Sequence, residues 1–290
     1  MNIKRVIKKA FKLIFAKRPI YTTANIVTLA PNELLKGRKA LITGGTSGIG
    51  YAIAEAFLKS GADVCITGRS EERLVKAEET LKKQHLTNNR NCKICHIVLD
   101  NRDIFSFDSK LKEVVSLMGG LDILVNNAGV QGDALPNATE EAYDAVLDTN
   151  LKGVFFLSQT VGRYMRDNKV KGNILNIASS SSLRPATSSY TISKWGIRGL
   201  TLGLAKSLAP LGIVVNGVAP GPTATPMIMH GDRSNITFEH IPAGRYAMPE
   251  EIANMAVFLT SDMGRMIIGD IVYMTGGAGV LTFDDLKYTF

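Results

Sequence analysis

The segment KALITGGTSGIGYAIAEAFLKSG, Lys39 to Gly61, changes pattern twice. It opens on a short apolar run, passes through a glycine-rich turn, and continues as an amphipathic stretch with the spacing of a helix. That order reads as buried strand, tight turn and helix. Gly44, Gly48 and Gly50 let the backbone turn sharply and come close to a ligand, with Thr46, Ser47 and Ile49 between them. Free amides and the positive end of a helix dipole at such a turn suit a pyrophosphate. In this strand-turn-helix setting the spacing T-G-x-x-x-G-x-G predicts a dinucleotide site.

Outward from this unit the same alternation runs to the end of the chain. Further apolar runs are DVCIT, KICHIVL, LDILV, NILNIA, IVVNGV and DIVYMTG, and amphipathic segments such as SEERLVKAEETLKKQ separate them. Strands that read as continuous apolar runs are buried on both faces, which requires helices above and below a parallel sheet. The expected fold is therefore α/β, a Rossmann-type doubly wound sheet of about seven strands in three layers, forming one domain over 36–290. The periodic pattern breaks from Gly221 to Met248, and a long loop after a strand's carboxyl end is expected to serve as a lid or substrate loop.

Composition excludes several function classes. The net charge is +8, but Lys4, Arg5, Lys8, Lys9, Lys12, Lys17 and Arg18 supply +7 of it before the first acid, Glu33. The body is nearly neutral, so no nucleic-acid surface is expected. Residues 1–35 form a basic extension in which Ile3, Val6, Ile7, Ala10, Phe11 and Ile14 recur at helical steps. Residues 1–20 read as a helix on an anionic membrane surface, a tail packed on a partner subunit, or a mitochondrial presequence. The three cysteines make no even disulfide framework and no secretory signal is visible, so a cytoplasmic location is expected, at the inner face of the membrane if the helix binds it. CKICH, Cys92 to His96, matches a haem-attachment spacing but runs into a strand, and no metal is expected there.

The second strand ends in CITGRS, with Gly68 and Arg69 where a carboxylate would hold the ribose of NAD. A guanidinium there suits a 2′-phosphate, so NADP(H) is expected in preference to NAD(H). One charge-assisted hydrogen bond of about 1.5–3 kcal/mol biases affinity roughly tenfold to a hundredfold.

With these residues in view the chain resembles the short-chain dehydrogenase/reductase family in its single-domain branch, and is similar to 3-oxoacyl-(acyl-carrier-protein) reductase-like oxidoreductases over residues 36–280. TGGTSGIG resembles the family's cofactor turn, and LDNRD its adenine segment with Asp100 and Asn101. NNAG carries Asn127, Ala128 and Gly129, NLKG carries Asn150, and YTISK carries Tyr190 and Lys194. PGPTAT, with Pro220, Gly221, Thr223 and Thr225, resembles the nicotinamide loop. The resemblance implies hydride transfer between a nicotinamide and a carbonyl or secondary alcohol, with Tyr190 as general acid and Lys194 on the nicotinamide ribose. It further implies a serine on the substrate oxygen and Asn150 in a water-mediated relay. At i,i+4 on one helix, Tyr190 and Lys194 share a face, and the ammonium is expected to lower the tyrosine pKa.

Counting from Asn176 selects Ser179 as the catalytic serine, with Ser180 and Ser181 as alternatives. Tyr190 then lies eleven residues on, about two fewer than the commonest family spacing, so this loop is short. Relatives commonly pair through the tyrosine helix, where Trp195, Gly196 and Gly199 permit close packing, so a homodimer or homotetramer is expected. Met227, Met229 and Met248 are candidates for an adaptable pocket, and His230 and His240 read as non-ligands. The competing readings are a cofactor-binding regulator or scaffold with little catalysis, a sugar-nucleotide epimerase, and a nucleic-acid binder. The family's epimerases carry a different glycine spacing and a larger C-terminal domain, whereas only thirteen residues follow Gly277 here.

Overall fold

A computed structural model describes residues 33–86, 92–229 and 235–286. The basic segment 1–20, and His230, lie outside the described residues. Seven strands form one parallel sheet in the order β3-β2-β1-β4-β5-β6-β7. They are β1 Lys39–Thr43, β2 Asp63–Gly68, β3 Ile94–Val98, β4 Ile123–Asn126, β5 Asn173–Ile177, β6 Val214–Pro220 and β7 Ile271–Met274. Each coincides with one of the seven apolar runs.

Why those runs are continuous rather than alternating follows from the two cores. Ala40 and Ile42 of β1 enter one core, while Leu41 between them enters the other. The same division separates Val64 and Ile66 from Cys65, and Ile123 and Val125 from Leu124. Helices α1 (Gly48–Lys59), α2 (Glu71–Leu86) and α8 (Pro249–Thr260) cover the first face. On the second lie α3 (Phe107–Met118), α5 (Gly153–Asp167) and α6 (Ser189–Leu208). Leu35 is fully buried and its amide donates to the Ser60 carbonyl at 2.9 Å, so the packed unit reaches back ahead of residue 36.

Between β4 and α5, helix α4 (Glu140–Leu147) runs into one π-helical turn, Asp148–Lys152. The irregular segment 221–248 has local order of its own. Pro226–Met229 makes one helical turn, α7, and a parallel bridge joins Thr223 to Ala247. The Phe238 and Tyr246 rings stack with centroids 4.7 Å apart. Strand order reverses direction between β1 and β4, and the crevice outside the carboxyl ends there is where this architecture takes its ligands.

The CKICH cysteines have a packing explanation. Cys95 pairs in register with Cys65 on the neighbouring strand, and the neighbouring thiol together with burial pushes the Cys65 thiol up. His96 bonds to the carboxylates of Glu71 and Glu78 on α2. Among the described residues no cluster of histidine, cysteine and acidic side chains has the arrangement of a metal site.

Candidate active site

A cleft of about 400 Å³ runs along the carboxyl ends of the strands. Its first wall is the glycine turn. Gly44 has φ +66° and Gly48 φ +59°, and a Cβ on Gly44 would stand 3.0 Å from the Ala128 backbone. Gly44, Thr46, Ser47, Gly48 and Ile49 all line the cleft. Gly50 does not. It is buried where a Cβ would collide with the Asn127 amide and the Gly44 carbonyl, so its role is to let α1 approach the turn. Ser47 caps α1 with no side-chain hydrogen bond, and the first turn has no acid. The helix therefore turns amides and dipole toward the cleft without an internal anion to satisfy them.

Beyond the turn, Arg69 lies at the end of β2 and lines the cleft with Ser70 and Arg73. Arg73 went unnoticed in the sequence, although it is four residues from Arg69 at the start of a helix. Asp100 closes this end. Three hydrogen bonds from the Arg102 guanidinium hold its carboxyl below the usual range, and the Arg69 charge adds to the effect. Next to it Asn101 is 4% exposed, and its Nδ2 has no hydrogen-bond partner among the described residues. A buried donor left over in a cleft fits a ligand acceptor.

The floor is built by a polar ladder that sequence reading did not find. The Thr43 hydroxyl accepts from the amides of Asn127 and Ala128, each at 3.0 Å, and Asn127 Nδ2 donates to the Thr43 carbonyl at 2.8 Å. One layer deeper, Asn126 Nδ2 donates to Ser158 Oγ and Asn176 Oδ1, both at 2.9 Å. Asn176 Nδ2 in turn donates to Thr201 Oγ1 at 2.9 Å. These fully buried bonds tie β4 and β5 to α5 and α6, fixing the position of the helix that bears Tyr190.

Three predicted side chains meet in the cleft: Ser179, Tyr190 and Lys194. Ser188 caps α6 by accepting from the Thr191 amide at 3.2 Å, which sets Tyr190 in the first turn. The Ser179 hydroxyl lies beside the Tyr190 phenol, and its Oγ accepts from the Ser181 amide at 3.1 Å. Lys194 is 6% exposed and its Nζ donates to the Ile177 carbonyl at 2.8 Å. That Nζ stands 5.6 Å from the centre of the Tyr190 ring. Ser180 is buried and, like Ser181, absent from the cleft lining.

The expected lowering of the tyrosine pKa is not what the structure shows. Desolvation pushes the Tyr190 phenol above its ordinary value, and the neighbouring Ser179 hydroxyl only opposes this. Desolvation likewise lowers Lys194 to about 8. Burial of the pair dominates here, because the polar contacts are too few to replace the lost hydration.

Asn150 sits in the π-helical turn, 1% exposed and outside the cleft lining. Its Oδ1 accepts from the Val130 amide and its Nδ2 donates to the Val130 carbonyl, both at 2.8 Å, with a further bond to Ser193 Oγ at 3.3 Å. The side chain thus braces the Gly129–Val130 wall against α6. Pro220, Gly221, Thr223 and Thr225 line the remaining side, joined by Pro226 and Ile228 of α7. Met248 caps α8 and is not in the lining, and exposed His240 packs edge-on against Phe238. Gly196 gives Leu151 room, whereas Gly199 faces open space.

This combination of sheet, switch-point cleft and converging Ser179, Tyr190 and Lys194 defines a dinucleotide-dependent oxidoreductase, and the chain belongs to the short-chain dehydrogenase/reductase family. Residues 44–279 match the family model described as enoyl-(acyl carrier protein) reductase. A 3alpha-hydroxysteroid dehydrogenase of Mediterraneibacter gnavus is 36% identical over 84% of this chain and 98% of that protein. A 3-oxoacyl-(acyl-carrier-protein) reductase of Thermotoga maritima is 38% identical with the same coverage. Among solved structures, a short chain dehydrogenase of Burkholderia cenocepacia in complex with NADP superimposes with a TM-score of 0.74. It is 33% identical over 84% of this chain and 98% of that one. The chain is an oxidoreductase acting on alcohol or carbonyl groups with a nicotinamide dinucleotide. No helix among the described residues is long and apolar enough to cross a membrane.

Proposed function

We propose that the protein is an NADPH-dependent carbonyl reductase. The observation that carries this reading is the meeting of Ser179, Tyr190 and Lys194 in the same cleft as Arg69 and Arg73. The uncapped start of α1 and the Gly44–Gly48 turn hold the pyrophosphate, Asn101 the adenine end, and the two guanidiniums the 2′-phosphate. When bound, the nicotinamide supplies the hydride to the substrate carbon.

The protein's own groups do the rest. Ser179 donates to the carbonyl oxygen and orients it toward Tyr190. A phenol is protonated at neutral pH and burial favours that form further, so Tyr190 can give its proton to the developing alkoxide. The Lys194 ammonium stabilises the resulting phenolate and holds the cofactor ribose, while Asn150 fixes the Val130 wall and the tyrosine helix. Val130, Pro226 and Ile228 at the mouth support a substrate with an apolar body. Exposed Phe155, Ile192, Trp195 and Leu202 on α5 and α6 support pairing of two copies, which sedimentation would test.

The deciding experiment follows NADPH consumption with 3-oxoacyl thioesters, ketosteroids, ketoses and cyclic ketones, with NADH and Tyr190→Phe alongside. Turnover of one class that vanishes in the variant is the expected result. Tight NADPH binding with silence across the panel would overturn the reading in favour of a scaffold.

A further inference from the structure

Ser179 begins a short turn that is held from within and from outside. Residues Ser180–Leu183 make one 3₁₀ turn, closed by Ser182 N–H and Oγ donating to the Ser179 carbonyl at 3.0 and 2.8 Å. Ser179 Oγ also accepts from the Ser181 amide at 3.1 Å, and the Arg184 amide donates to the Ser181 carbonyl at 3.2 Å; further restraints come from outside. Tyr273 of β7 hydrogen-bonds to Ser182 Oγ at 3.1 Å, Arg198 of α6 donates to the Ser182 carbonyl at 3.3 Å, and Trp195 Nε1 donates to the Arg184 carbonyl at 2.8 Å.

The deepest restraint comes from the C-terminal tail. Arg184 Nη2 donates to Asp285 Oδ2 at 2.8 Å across 101 residues of chain, and the two side chains are 2% and 3% exposed. Phe283 lies beneath the guanidinium, its ring centre 5.8 Å from Cζ. Gly279 lets the tail pass, since a Cβ there would stand 3.0 Å from Arg184 Nε. Arg184 Nε and Nη1, and Asp285 Oδ1, have no hydrogen-bond partner among the described residues. The ion pair is therefore held by one bond, and each charge depends on the other for its burial. Earlier in the tail, the Gly276 carbonyl accepts from the Ala243 amide at 3.0 Å, which joins it to the substrate segment as well.

We propose that Asp285 is a positioning residue for the reaction: through Arg184 it clamps the turn that presents Ser179 to the cleft. The tail is then a working part of the active site, although Asp285 touches neither substrate nor cofactor. This inference rests on the role given to Ser179 above. It predicts that the clamp governs the chemical step and leaves the cofactor half, built on β1 to β4, unaffected.

The test compares the full-length wild type with D285N, D285E and the doubly neutral R184Q/D285N, which leaves no unpaired charge to prevent folding. Hydrogen exchange of the peptide covering 179–188 needs no substrate. It should quicken at least tenfold in D285N and in the double variant, with peptides of β1 to β4 unchanged. With the carbonyl class found in the panel, kcat should fall at least tenfold while the NADPH dissociation constant stays within twofold, and D285E should recover half or more of the turnover. Unchanged exchange in 179–188, unchanged kcat, or loss of NADPH binding together with kcat would each overturn the clamp. S179A separates the two ideas: full turnover in S179A removes the role of Ser179, whereas the exchange result judges the clamp by itself.

Discussion

The two ends of the cleft are built in different ways. At the cofactor end, the glycine turn, Arg69 and Arg73 each lie within a few residues of a strand end, and short local motifs place them. At the substrate end, Ser179, the segment 221–248 and the C-terminal tail are brought together by contacts such as Ala243 to Gly276 and Arg184 to Asp285. Local spacing places the residues of the first end on their own elements, whereas the second is assembled by contacts between distant parts of the chain. Damage should therefore separate. Changes at the cofactor end should alter affinity, and changes at the substrate end should alter turnover.

The largest break is expected from Tyr190→Phe. Loss of a general acid costs about 10²–10⁴ in kcat, while NADPH binding should stay within about threefold, a tolerance equivalent to under 1 kcal/mol. Fluorescence titration beside steady-state kinetics checks both. Ser179→Ala comes next, at about 10²–10³ in kcat for a lost oxyanion donor, with Ser181→Ala near wild type. Equal losses in the two serine variants would show that the turn as a whole, not one hydroxyl, matters.

Arg69→Ala should weaken NADPH about tenfold to a hundredfold and leave NADH nearly unchanged. Arg73→Ala should do the same more weakly. Comparable losses for both cofactors would erase the assigned 2′-phosphate site. Asn176→Ala removes one buried hydrogen bond each from Asn126 and Thr201 and should lower unfolding stability by about 1–3 kcal/mol, measured by urea titration.

The smallest effect is in pH. With Lys194 lowered to about 8, its ammonium is lost as pH climbs past that value, so kcat/KM, which reports the free enzyme, should fall on an alkaline limb there. Lys194→Arg should move that limb upward. Stability has the opposite sign. Between about 8 and the ordinary lysine value of 10.5 the unfolded chain binds more protons than the folded one, so the Lys194 contribution to stability rises with pH in that window. Lys194→Met should remove the rise from thermal melts followed across it.

Much of the site was legible in the chain because its signals are local. Glycines in a strand-turn-helix unit, and a tyrosine and lysine at i,i+4, need only the regular geometry of their own elements. Arg73 was also within reach by the same logic, one helical turn from Arg69. The Thr43–Asn127 bonds and the Asn126–Asn176–Thr201 ladder were not, since they connect strands and helices dozens of residues apart. Nor was the place of Asn150, whose residue type suited a relay and whose side-chain amide is given to Val130 and Ser193.

By itself the sequence determined seven strands, their helices and the glycine turn, because periodicity and spacing along the chain encode them, while the candidate catalytic residues followed from the family resemblance. Only the tertiary structure decided which of three serines faces Tyr190, which way burial drives the tyrosine and lysine, and that Asp285 meets Arg184. Those outcomes depend on solvent exclusion and on distances between residues far apart in the chain, which no local pattern carries.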